Sequence, residues 1–130
     1  MKNTSIDGRL VLIVESEALM ALEIAGTFVG AGAHVVTART LCDAFFEVEH
    51  NVVSAAVLDH VFGSADVSVL CARLKSLGIP FVTYSTSETF QGACHDGPHV
   101  SRLADPAVLV ATLDGLLASG KFQTETLRTS

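Results

Sequence analysis

The chain has no tryptophan and a single tyrosine, Tyr84, so a site that stacks a flavin between aromatic rings has almost nothing to be built from. Its cysteines are few, odd in number and far apart (Cys42, Cys71 and Cys94), with no Cys-x-x-Cys. That spacing predicts no disulfide framework and fits a reducing cytoplasm. Lysine and arginine total 8 against 14 acidic residues, giving a net charge of −6, and no stretch clusters the basic residues. The main electrostatic drive for binding nucleic acid is therefore missing. No apolar run is long enough to cross a bilayer. The first residues, Met1 to Arg9, are polar and lack the apolar core of a signal peptide. No internal repeat, low-complexity tract or linker interrupts the chain. No glycine-rich loop follows the first apolar run, where Glu15-Ser16-Glu17 stands instead. This argues against dinucleotide and P-loop chemistry.

What is present is alternation. With 130 residues and 49% hydrophobic composition the chain suits one domain with a real core. Leu10 to Val14 and Ala55 to Leu58 are short apolar runs of the kind that form central strands of a parallel sheet. The first runs into Glu15-Ser16-Glu17 and the second into Asp59. Ligands of such sheets bind at the carboxyl ends of the strands, so neighbouring strands would place Glu15 and Asp59 in one pocket.

The intervening segments read as helices. Residues 17–29 are apolar over much of a helical circumference, which predicts burial on more than one side or a face for a partner. Glycines 30 and 32 end that helix, and a strand follows over 33–38. Thr40 and Asp43 form a capping pattern for a helix carrying Leu41, Ala44, Phe45 and Val48 inward. A third helix is expected over 65–77, stopped by Gly78, and Pro80 opens a strand that ends at Ser85. Residues 86–98 are polar and promise at best a short, irregular fourth helix. His99 to Arg102 forms a weak fifth strand. Asp105-Pro106 is an N-cap followed by proline at the first helical position. Val108, Leu109, Leu113, Leu116 and Leu117 are expected to turn the last helix inward. Five strands alternating with helices mean a doubly wound α/β domain with right-handed crossovers. The domain is placed at 9–118, with loose ends over 1–8 and 119–130.

On these residues the chain resembles a response-regulator receiver domain, the CheY-like branch of the flavodoxin-like folds, over nearly its whole length. The resemblance implies a signalling module rather than an enzyme. It also implies that Asp59, in Val57-Leu58-Asp59, is a phosphoacceptor. A carboxylate attacking an activated phosphoryl group gives an acyl phosphate, which is sound chemistry. By position Glu15 corresponds to the first acid of the family's metal pocket, Ser85 to the switch hydroxyl, and His99 to the aromatic switch residue. Val61 corresponds to the residue whose backbone carbonyl meets the metal. The implied cofactor is magnesium. The implied partners are a sensor histidine kinase or phosphotransfer protein and a downstream protein, with a homodimer as a further option and neither nucleic acid nor membrane.

Three positions depart from the family pattern. Ser16 stands where the second, directly coordinating acid belongs; magnesium favours carboxylate oxygens in strict octahedral geometry, so metal binding should weaken. Arg102 replaces the lysine and, as a planar fork, is able to pair bidentately with Asp59. Leu103 replaces the proline after it, so the Arg102–Leu103 bond is expected to be trans. These departures set a phosphorylation-independent pseudo-receiver beside the phosphorelay reading. A small cofactor binder of the same fold is the third option. Ser16 has a plainer role open to it as helix N-cap. Cys94-His95-Asp96 with His99 contains zinc-ligand residue types at a spacing that matches no established pattern, and a polar loop is the plainer reading. Gly26 and Gly30 suggest close helix packing. His34 and His50 read as surface residues, and His60 as a loop residue beside Asp59.

Overall fold

The computed structural model describes residues 5–59, 67–85, 99–101 and 105–119. Among these residues the elements run in the order β1 (Leu10–Val14), α1 (Ala18–Gly30), β2 (His34–Ala38), α2 (Leu41–His50), β3 (Ala55–Asp59), α3 (Ser68–Ser76), β4 (Phe81–Ser85), β5 (His99–Ser101) and α4 (Pro106–Ser119). The strands form one parallel sheet in the order β2-β1-β3-β4-β5. The chain winds outward from β1 to β2, then reverses and continues on the other side through β3. The reversal puts the switch point of the sheet between β1 and β3, where Val14 pairs with Leu58. A crevice opens at the carboxyl ends of strands at such a point.

The apolar runs form the middle of the sheet because both of its faces are covered. Val11 to Val14 and Ala55 to Leu58 are all fully buried. Successive side chains point to opposite faces, and the core divides accordingly. Leu12, Val14, Ala56 and Leu58 pack with Ala44 and Val48 of α2 and Leu70, Cys71 and Leu74 of α3. Val11, Ile13, Val57, Val82 and Tyr84 pack with Ile24 and Phe28 of α1 and Leu109 and Leu113 of α4. Each fully buried Val, Leu, Ile or Phe among them contributes about 1.5–3 kcal/mol. Leu109 and Leu113 face inward as their spacing predicts, but Val108 is 41% exposed and turns outward.

The helix ends follow local chemistry. The Thr40 hydroxyl accepts the Asp43 N–H at 3.0 Å, so the capping pattern is real. The Asp105 carboxylate accepts the Ala107 N–H at 2.9 Å ahead of Pro106. Gly32 and Gly78, at φ +97° and +73°, follow the ends of α1 and α3. Ile6, inside the stretch expected to be loose, is fully buried, and its N–H donates to Asp114 of α4 at 2.9 Å. A Cβ added at Gly26 or Gly30 would meet nothing within 4 Å, so the pair is not a close-packing contact among the described residues. His34 and His50 are exposed; His50 stacks on Phe46 at 4.2 Å between ring centroids. Cys42 is free and exposed, whereas Cys71 is disulfide-bonded, against the expectation drawn from cysteine spacing. No described helix is long and apolar enough to cross a membrane. The expected fourth helix, 86–98, lies outside the described residues.

Candidate functional site

The two carboxylates named from sequence meet at the switch point. β1 and β3 are hydrogen-bonded neighbours; Glu15 follows the last residue of one and Asp59 is the last residue of the other. Both are buried, Glu15 completely and Asp59 to 4% exposure. Alternation places Asp59 on the same face as Val57, and Glu15 on the same face as Val11 and Ile13, toward α1 and α4.

Burial makes the partners of Glu15 decisive, because an unpaired carboxylate there would be costly. Its Oε2 accepts the Glu17 N–H at 2.9 Å. Glu17 is the N-cap residue of α1 and makes no side-chain cap bond of its own. Ser16, read as a cap, is therefore displaced from that role: it is exposed, and the carboxylate just before it binds the entry to the helix instead. The Ser16 carbonyl accepts Nε–H of Arg39 at 2.9 Å, which ties this loop to the end of β2.

The other oxygen, Oε1, accepts the hydroxyl of Tyr84, a residue 69 positions away. Tyr84 lies on β4 in register with Asp59, and is 2% exposed. β4 and β1 flank β3, so the Tyr84–Glu15 bond passes over the strand that carries Asp59. The two outer strands stand about 9–10 Å apart, and only a long polar side chain such as tyrosine closes that distance. Sequence reasoning missed Tyr84. The available signal was its uniqueness: a lone tyrosine in an apolar strand buries its ring and needs a partner for its hydroxyl.

Several other named positions are only partly described or lie outside. Ser85 is the last residue of β4, and His99 begins β5 in register with Thr83; nothing of either side chain is described. His60, Val61, Arg102, Leu103 and the Cys94-His95-Asp96 cluster lie outside the described residues.

Magnesium fits the described donors poorly. Both oxygens of Glu15 already accept protein hydrogen bonds, and the exposed Ser16 stands where the family pattern has its second acid. Among the described residues no group of three His, Cys, Asp or Glu side chains is placed to hold a metal. A hard octahedral cation needs several oxygens turned toward it.

No family model matches the sequence, and no curated protein matches it. Solved structures do. A response regulator receiver domain protein (CheY-like) from Methanospirillum hungatei JF-1 superposes with a TM-score of 0.78 at 14% identity, covering 90% of this chain and 99% of that one. The signal receiver domain of an HD domain-containing protein from Pseudomonas fluorescens Pf-5 gives 0.77 at 13% identity, over 88% and 98%. A response regulator receiver protein from Sinorhizobium medicae WSM419 gives 0.73 at 17% identity, over 87% and 97%. The fold is therefore the CheY-like receiver fold, as the sequence resemblance implied.

Proposed function

We propose that this chain is a receiver module in two-component phosphorelay signalling, with Asp59 as phosphoacceptor and impaired metal binding. The observation that carries the proposal is the pairing of β1 with β3, with buried Glu15 and buried Asp59 at the ends of these neighbouring strands of a receiver fold. In this reading an Asp59 oxygen attacks the phosphorus of a phosphohistidine on a sensor kinase or phosphotransfer protein. The P–N bond breaks and an acyl phosphate forms on Asp59. The hydroxyl of Ser85, at the end of the adjacent β4, donates to a phosphoryl oxygen, with Arg102 in the family lysine's place and His99 at the switch position. Glu15, Asp59 and the Val61 carbonyl are the donors that the family pattern assigns to magnesium, which would neutralise charge on the phosphoryl group there. The module is not an enzyme in its own right; it passes its state to a downstream protein partner or a second copy.

A second reading has a specific observation behind it. Glu15 is already satisfied by Tyr84 and Glu17, which favours a pseudo-receiver that holds one state and acts by protein interaction without phosphorylation.

Intact mass after incubation with magnesium and acetyl phosphate separates the two. A single phosphate adduct in the wild type that disappears in Asp59→Asn is the expected result. An unmodified wild type, with an adduct appearing in Ser16→Asp, establishes the pseudo-receiver instead.

A further inference from the structure

We propose that the outer face of α1 and α4 is a dimer interface: two copies of this chain pack α1 against α1 in antiparallel fashion, centred on the level of Ile24, with α4 extending the contact. The two helix layers that cover the sheet are unlike. α2 and α3 carry Asp43, Glu47, Glu49, Arg73 and Lys75. α1 carries one charged residue, Glu23, and α4 one, Asp114, which accepts the Ile6 N–H. This face thus escapes most of the repulsion that a net charge of −6 imposes between copies. Large apolar side chains stand in water on it: Leu19 is 76% exposed, Leu22 70% and Val29 57%. A contiguous exposed apolar patch marks a site of association.

The pattern along α1 selects a second copy as the occupant. Leu19, Leu22, Gly26 and Val29 are all exposed and follow one another at the alternating spacing of a helix-pair seam. An antiparallel two-fold at Ile24 sets Leu22 of each copy opposite Gly26 of the other, and Leu19 opposite Val29. A Cβ at Gly26 would meet nothing within 4 Å, so the space above it is open to the second copy's Leu22. Large meets small twice in one contact, the self-complementarity that an isologous interface requires. A charged partner finds no complement here, whereas a second copy brings the same uncharged surface.

α4 supplies the remaining area. Its outward residues Ala107, Ala111, Gly115 and Ala118 are small and exposed, and an apolar hollow of about 380 Å³ lined by Thr27, Gly30, Val110 and Ala111 joins it to α1. The helices are 13 and 14 residues long, so each spans about 20 Å. Ala21, Ile24, Phe28, Leu109 and Leu113 are buried within the fold. The residues left over approach the roughly 20–30 a side, or about 800 Å² per partner, of a stable interface. α1 alone falls short of that. The interface rests on the fold and these helix faces, not on phosphorylation of Asp59.

Sedimentation equilibrium of the full chain over a range of concentrations tests the proposal in wild type, Leu22→Glu, Gly26→Gln and Val69→Glu. Val69 is a control on α3, comparably exposed at 61%. All three sites are exposed, so the variants keep the fold, which circular dichroism checks. Wild type and Val69→Glu are expected to form dimers of equal affinity at micromolar concentration. Leu22→Glu and Gly26→Gln are expected to raise the dissociation constant by roughly a hundredfold or more, since each change lies near the two-fold and counts twice. A wild type that is monomeric at every concentration overturns the proposal, whether another protein or the chain's own residues 120–130 cover the face. A dimer that survives Leu22→Glu or Gly26→Gln overturns it, and so does one that Val69→Glu weakens equally. The phosphoacceptor reading fails separately, through a missing adduct at Asp59 while the dimer persists.

Discussion

The two edges of the sheet are built by different means. At the carboxyl edge, strands hand over to helix starts, and side chains do the joining: Thr40 caps α2, Asp105 caps α4, and Glu15 binds the entry to α1. At the amino edge, helix ends hand over to strands, and backbone does the joining, through Gly32 and Gly78 in left-handed conformations and carbonyls of the last helical turns. A cleft of about 260 Å³ also opens at the amino edge, lined by Val53, Ile79, Pro80, Leu116 and Arg9 among others, yet it gathers no carboxylate. The difference follows from chain direction. Helix N-termini leave N–H groups that call for side-chain acceptors, whereas C-termini leave carbonyls that a glycine turn can satisfy. Side-chain acceptors for helix starts therefore collect at the carboxyl edge, and the buried acids sit there.

The sharpest way to break this contrast is to put a side chain where the amino edge relies on having none. Gly32 has φ +97°, and a Cβ there would run into Oδ1 of Asp7. Gly32→Ala should lower stability by about 1–2 kcal/mol from the backbone conformation alone, with the Asp7 side chain forced to move. Chemical denaturation measures it. A loss much below that would mean the turn relaxes to a right-handed conformation, and the amino edge would be less dependent on glycine than its geometry indicates.

The carboxyl edge should respond to loss of a polar atom rather than gain of a carbon. Thr40→Ala removes the acceptor for the Asp43 N–H and should lower stability by about 1 kcal/mol, while Thr40→Ser keeps most of it. Equal losses for both substitutions would point to the methyl group instead, and the proposed division between edges would fail at this helix.

The contrast also marks what could be read from residue order. Strands β1 and β3, the Thr40 cap, the Asp105-Pro106 start and the Gly78 stop are local signals, each carried by residues within a turn or a strand of one another. So is the fold class, since it rests on their alternation. The junction of Glu15 with Asp59 needed only the assumption that β1 and β3 pair. Tyr84 was different. Its partner is 69 positions away and on a strand that is not its neighbour, and no local pattern encodes such a bond. Ser16 misled for a related reason: serine is a good cap by propensity, but a buried carboxylate one residue earlier supplies the acceptor. Val108 misled because apolar residues crowd α4 on every side, so spacing alone does not choose its inner face.

Between the edges, on the outer surface of α2 and α3, lies an electrostatic contact of the ordinary exposed kind. Arg73 donates to both oxygens of Glu49, Nε at 2.7 Å and the second guanidinium nitrogen at 3.0 Å. The hydrogen bond from Arg73 is the main cause that holds Glu49 below its ordinary value of 4.5; desolvation opposes it, and the charges of Arg73 and His50 add smaller lowering effects. A carboxyl group with a depressed value stabilises the fold above its unfolded value and loses that contribution as pH falls through the folded one. The melting-temperature gap between wild type and Glu49→Gln should therefore be full above pH 4.5 and close below it, and half-molar salt should shrink it at neutral pH. Both side chains are about 42% and 41% exposed, so this is the smallest of the effects. A gap as large as that of Thr40→Ala, or one that ignores salt, would show that an exposed pair on the helix layer matters as much as the polar joints at the carboxyl edge.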